Sequence, residues 1–98
     1  SGAIVNGRGD EPNMHDVLTG SFADGTLYIE KDVRSTTCEN WTSSADEAGV
    51  IARVGHHDRV GGGPDPTSWN NSHNSRGCSL ETLRATGGDG RFMCFAAD

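Results

Sequence analysis

The sequence has little with which to fill a core. Hydrophobic residues make up 33% of its 98 positions and aromatic residues 6%, both low for a packed domain. A chain of this length forms one domain at most, and folding buries only about 60–65% of the surface it exposes when unfolded. Glycine, at 14 residues, adds to the entropy that folding must overcome. A thin core and a narrow stability margin follow, so a disulfide, a metal or a partner chain is expected to supplement apolar burial. Positive charge is also scarce: 8 basic residues stand against 14 acidic ones, for a net charge of −6. The basic residues Arg8, Lys31, Arg34, Arg53, Arg59, Arg76, Arg84 and Arg91 form no run, which argues against a nucleic-acid partner, since phosphate binding needs clustered positive charge. No stretch approaches the length of apolar chain that a membrane-spanning helix needs. No charged-then-apolar leader opens the sequence, so secretion would call for a signal upstream of Ser1.

Cysteine is sparse and odd in number, at Cys38, Cys78 and Cys94. The spacing fits no zinc pattern with two-residue gaps. Three free thiols in a reducing compartment are one reading. An oxidised pair suits a small, glycine-rich, acidic domain better, and it leaves one thiol over for a partner elsewhere.

Local patterns are short. Residues 1–13 hold one apolar triplet, Ala3-Ile4-Val5, followed by turn residues, and read as an irregular segment. Arg8-Gly9-Asp10 spells an integrin-type tripeptide, a common accident in glycine-rich loops. The stretch "DVLTGSFADGTLYIEKD" predicts two short strands around an Asp24-Gly25 turn, with Val17, Phe22, Leu27 and Ile29 as apolar positions. "VIARV", 50–54, is a further short strand. Gly55 to Gly77 shows no periodicity, and so long a structureless stretch inside a compact domain is usually functional or disordered. "SLETLRATGG" predicts one short helix, capped by Ser79, with Leu80 and Leu83 on one face and Gly87 ending it. Asp89-Gly90 predicts a turn into "RFMCF", 91–95, the most hydrophobic segment and the expected central strand.

Within the aperiodic stretch lies "SWNNSHNSRGC", Ser68 to Cys78, which carries amides, hydroxyls and an imidazole around one indole. Asp58, Arg59, Trp69, Asn70, Asn71, His73 and Arg76 are the candidate ligand-binding residues. Trp69 offers a flat apolar face for a sugar ring or a partner's side chain, or else belongs to the core. The amides and arginines offer directional hydrogen bonds. His56, His57, Asp58 and Asp65 are of the right types to hold a metal, with His73 nearby. No nucleophile elbow and no phosphate-binding loop is present, and no catalytic residue is expected.

Taken in order, "DVLTGSFADGT", "CENWTS", "GHHDR", "SWNNSHNSRGCS" and "GGDGRFMCF" resemble the C-terminal half of the endostatin-like domains of bacterial surface proteins, which belong to the C-type-lectin-like fold. The likeness covers roughly residues 16–95. It implies that Cys38 pairs with Cys78 and pins the long loop, closing about 41 residues at a stabilisation of roughly 4 kcal/mol. It also implies a partner for Cys94 in an N-terminal half, and no cysteine precedes Cys38; Cys94 is then unpaired or bridged to another chain. Trp69-Asn70-Asn71 is similar to the Trp-Asn-Asp motif of calcium-dependent lectins, which makes calcium the first cation to consider and zinc the second, although Asn71 stands where that motif has an aspartate.

The expected fold is therefore α+β: a single small C-type-lectin-like domain over 1–98, either lacking the N-terminal half that the resemblance implies or a shortened variant of it, mostly short antiparallel strands and long loops with one short helix. The expected function is extracellular or cell-surface recognition of a glycan or a surface protein through loop 55–77, without enzymatic activity. The alternatives are an assembly or fibre-tip module joined to another copy or to a partner chain that supplies the rest of the domain, and a metal hydrolase built on the histidines.

Overall fold

The computed structural model describes residues 15–60, 65 and 67–93. Arg8-Gly9-Asp10, the run Gly61–Pro64 and Cys94 lie outside them. The described chain is α+β. Strands β1 (Asp16–Leu18), β2 (Arg53–His56), β3 (His73–Asn74) and β4 (Gly88–Phe92) form one sheet, and two short helical segments, α1 (Cys38–Trp41) and α2 (Leu80–Ala85), connect its parts. The strand order is β3-β2-β1-β4. β2 runs antiparallel to both its neighbours, whereas β1 and β4 run parallel, so the sheet is mixed rather than antiparallel throughout.

β2 is the centre. All four of its residues are buried, as a strand covered on both faces must be. Beside it Val50, Ala52 and Val54 pack with Cys38 and Cys78, and Leu18 leans on this group. The sulfurs of Cys38 and Cys78 are bonded, with Cα atoms 5.8 Å apart. The bridge carries the chain from the start of α1 to the start of α2, where the Ser79 hydroxyl caps the helix by accepting from the Thr82 amide at 3.2 Å. The Asp46 carboxylate accepts from the Ser79 amide, the Ser79 hydroxyl and the Thr82 hydroxyl at 3.1, 2.9 and 2.8 Å. Those hydrogen bonds hold Asp46 below the usual carboxylate range, the Ser79 amide contributing most.

Several sequence expectations change. The last strand is at the sheet edge, not its centre, and it begins at Gly88, so Asp89-Gly90 lies inside it; Phe92, 51% exposed, packs edge-on against Trp41 at 5.0 Å. Hydrophobicity marked the segment, but the middle of the sheet goes to β2, which packs on both faces. The Asp24-Gly25 turn forms, with Gly25 at φ +89°, but its two arms meet at only one bridge, Ser21 to Leu27. Leu80 faces solvent while Leu83 is buried. A second helical segment also appears. Cys38, Glu39, Asn40 and Trp41 have φ of 48°, 55°, 58° and 63°, a left-handed turn. Each such residue costs roughly 1–2 kcal/mol when it carries a Cβ. Hydrogen bonds offset this: Cys38 N donates to the Ile51 carbonyl at 2.9 Å and Glu39 N to the Ser35 hydroxyl at 2.8 Å.

Candidate functional site

Two places on this scaffold collect chemistry. The first is a groove of about 390 Å³ beside the end of β1, lined by Thr19, Ser21, Asp24, Trp69, Asn70 and Met93 among others. Its volume is within the range of small-ligand sites. Gly55 makes it, because a Cβ there would collide with the Trp69 carbonyl; the chain at 69–70 can lie flat on β2 only against glycine. Trp69 is then left 43% exposed at the lip. Asn70 is buried, and its amide donates to the Phe22 and Ala23 carbonyls, both at 3.2 Å, tying the Asp24 turn to the loop. Thr19 and Ser21 donate their hydroxyl protons to the Asn70 carbonyl.

The other candidate ligand-binding residues are dispersed. The Asn71 side-chain oxygen accepts from Arg53 Nε at 2.7 Å, and the buried Arg53 also donates to Asn74 and lies 4.2 Å over the Tyr28 ring. Asn70 Oδ1 accepts from the Ser68 hydroxyl at 3.2 Å. Both amide oxygens of the Trp-Asn-Asn stretch thus face protein donors, the opposite of a cation site. Arg59 donates to the Thr67 carbonyl at 2.9 Å, and Arg76 is exposed. The polar loop that the sequence offered as a binding surface is in large part a hydrogen-bonded frame, and Trp69 is its outward face.

The second place is the other end of β2. Register explains it: Asp16 pairs with His56 across β1 and β2, and Val54, two residues before His56 and so on the same face, pairs with His73. Asp16, His56 and His73 therefore share one face with the apolar core. Asp16 is 3% exposed and His56 0%. From Asp16 Oδ1 the Nε2 atoms of His56, His73 and His15 lie at 3.1, 3.3 and 3.4 Å, and His56 and His73 Nε2 are 3.0 Å apart. His15 stacks on His56 with ring centroids 3.9 Å apart. Neither oxygen of Asp16 receives a hydrogen bond of good geometry from the described residues. Gly87 closes the back: a Cβ there would lie 3.3 Å from Asp16 Oδ2.

Charges around this cluster are ordered. The Asp16 carboxylate holds the His73 imidazole above the usual histidine range, against burial, which pulls it down. At Asp58 burial pushes upward, but the Val60 amide and His15 together hold the carboxyl below the usual range. Of the four residues that the sequence offered for a metal, His56 is in the cluster and Asp58 touches it through His15 Nδ1 at 3.0 Å. Among the described residues, His57 and Asp65 do not belong to the group of clustered ligand atoms. His15 and Asp16 were not singled out by sequence; the signal was an ionisable pair opening an otherwise apolar strand.

No family model, no curated protein and no solved structure matches this chain. Among the described residues no helix is long and apolar enough to cross a membrane.

Proposed function

We propose that this chain is an extracellular recognition domain that holds a glycan ring against Trp69, in a C-type-lectin-like fold. The observation that carries the reading is the half-exposed indole at the lip of a groove whose floor and walls present hydroxyls, a carboxylate and an amide-tied turn. An aromatic face beside hydrogen-bonding groups suits a ring with one apolar side and many hydroxyls. The intrachain disulfide supports an oxidising, extracellular setting. The order of motifs that resembles endostatin-like domains supports the lectin-like fold. Binding rather than catalysis is favoured because the ionisable cluster is buried away from the groove lining. A glycan array with the disulfide-intact chain tests this. A single glycan class should bind, and Trp69→Ala should weaken it at least tenfold, about 1.4 kcal/mol, with the fold retained by circular dichroism. Absence of glycan binding, or binding unaffected by Trp69→Ala, removes the reading.

A second reading, an assembly module, is favoured by the exposed apolar side chains of Leu27 and Ile29 and by the edge position of β4. Sedimentation of the purified chain would show it as a concentration-dependent dimer.

A further inference from the structure

We propose that Asp16, His56, His73 and His15 form a zinc site that staples β1, β2 and β3 together. The inference is independent of the glycan groove.

Three observations carry it. The first is distance. Zinc bound to imidazole nitrogen and carboxylate oxygen at about 2.0–2.1 Å in a tetrahedron sets its ligand atoms about 3.3 Å apart. Asp16 Oδ1, His56 Nε2 and His73 Nε2 form a triangle with sides of 3.1, 3.3 and 3.0 Å, the size of one face of that tetrahedron. His15 Nε2 lies 3.4 Å from the same oxygen, and its ring, stacked on His56, must turn out of that stack to supply the fourth ligand.

The second is the outer contacts. His15 Nδ1 lies 3.0 Å from Asp58 Oδ1, and His73 Nδ1 lies 3.0 Å from the Asn74 carbonyl. A carboxylate and a carbonyl can only accept, so each Nδ1 carries a proton. In the neutral ring that leaves Nε2 of both histidines as a lone pair directed toward the cluster. Metal-bound histidines are oriented in this way by an outer carboxylate or carbonyl. The third is the buried carboxylate itself. Asp16 is almost fully enclosed, and its oxygens receive no well-formed hydrogen bond from the described residues. An enclosed carboxylate needs its charge met, and a divalent cation at the centre of the cluster meets it by direct coordination.

Four protein ligands leave no open position for substrate, the mark of a structural zinc site. Its ligands come from the first residue of β1 and the one before it, the last residue of β2 and the first of β3, so the metal ties together segments that are 40 and 17 residues apart along the chain, from Asp16 to His56 and from His56 to His73. Such a staple suits a chain with so small an apolar core.

The untagged, disulfide-intact chain titrated with zinc should bind one equivalent, and cobalt(II) in its place should give the intense visible spectrum of a tetrahedral site. Loss of an outer contact costs zinc sites about 10–100-fold in affinity, so loss of a ligand should cost more. His73→Gln and Asp16→Asn should each weaken zinc binding more than 100-fold, while His57→Ala, next in sequence to a ligand, should leave it unchanged. Chelator should lower the melting temperature of the wild-type chain but not that of His73→Gln. His73 is partly exposed, so that variant should fold and keep its disulfide, which circular dichroism and non-reducing electrophoresis verify. No stoichiometric zinc, an octahedral cobalt spectrum, or equal losses in His57→Ala and His73→Gln would overturn the site and leave a metal-free carboxylate–imidazole cluster.

Discussion

The two ends of β2 are held in opposite ways. At its start, Val54 packs with Val50, Ala52 and the Cys38–Cys78 bridge, an apolar group sealed by a covalent bond. At its end, buried His56 meets buried Asp16 and the partly exposed His73 in an ionisable group. Apolar side chains gain from enclosure whatever their orientation, so the first end needs only correct volumes. A carboxylate gains nothing from enclosure unless its charge is met, so the second end demands specific partners at specific distances. In a chain this poor in hydrophobic residues, each end of the central strand has its own kind of fastening, and the long polar segment between them is drawn onto the sheet by both.

Three perturbations break or sharpen that contrast. Reduction of the disulfide, or Cys38→Ser with Cys78→Ser, attacks the apolar end. The closed loop of about 41 residues implies a loss of roughly 4 kcal/mol, and the reduced chain should unfold near physiological temperature in a calorimetric or circular-dichroism melt. A melting temperature unchanged by reductant would mean that the small apolar group suffices alone. Gly55→Ala attacks the strand between the two ends. The added methyl collides with backbone at Trp69, so the loop that carries Trp69 and His73 must lift from β2, at a cost of about 2–3 kcal/mol by denaturant titration. A loss below about 0.5 kcal/mol would mean that the loop is not seated on that strand. Glu39→Gly works in the other direction. Glu39 sits at φ 55° in the left-handed turn beside the disulfide, and glycine removes the strain. Its ion pair with Arg34, at 2.9 Å, is solvent-exposed and contributes little. A net stabilisation of up to about 1 kcal/mol is expected, read as a higher melting temperature; a lower one would show that the turn is fixed by the Glu39 side chain rather than imposed on it.

What could be read beforehand follows the same division. Short-range chemistry was legible. Ser79 as a cap and Asp24-Gly25 as a turn depend on residues within a few positions of one another, and the strand expected at 50–54 forms instead at Arg53–His56, shifted toward the C-terminus. The disulfide came from the order of motifs and is present. The placement of the last strand failed because hydrophobicity shows that a segment seeks cover, not which neighbour covers it. The left-handed turn at Cys38–Trp41 was not legible, since none of its four residues is glycine. The ionisable cluster was half legible: His56 and Asp58 stood out in "GHHDR", but His15 and Asp16 lie some 40 residues away and looked like an ordinary polar lead into a strand.

The sequence by itself determined that the core is small, that basic residues are few and scattered, that polar groups outnumber what a core can use, and that two sulfurs could make good part of the deficit. These are sums over composition and near neighbours, and they hold for any fold the chain adopts. The tertiary structure decided which polar side chains frame the loop, which one faces outward, and which three imidazoles surround one buried carboxylate. The cluster depends on strand register: pairing Asp16 with His56, and Val54 with His73, puts Asp16, His56 and His73 on a single face, and a one-residue slip of any of these strands would have turned its member to the other.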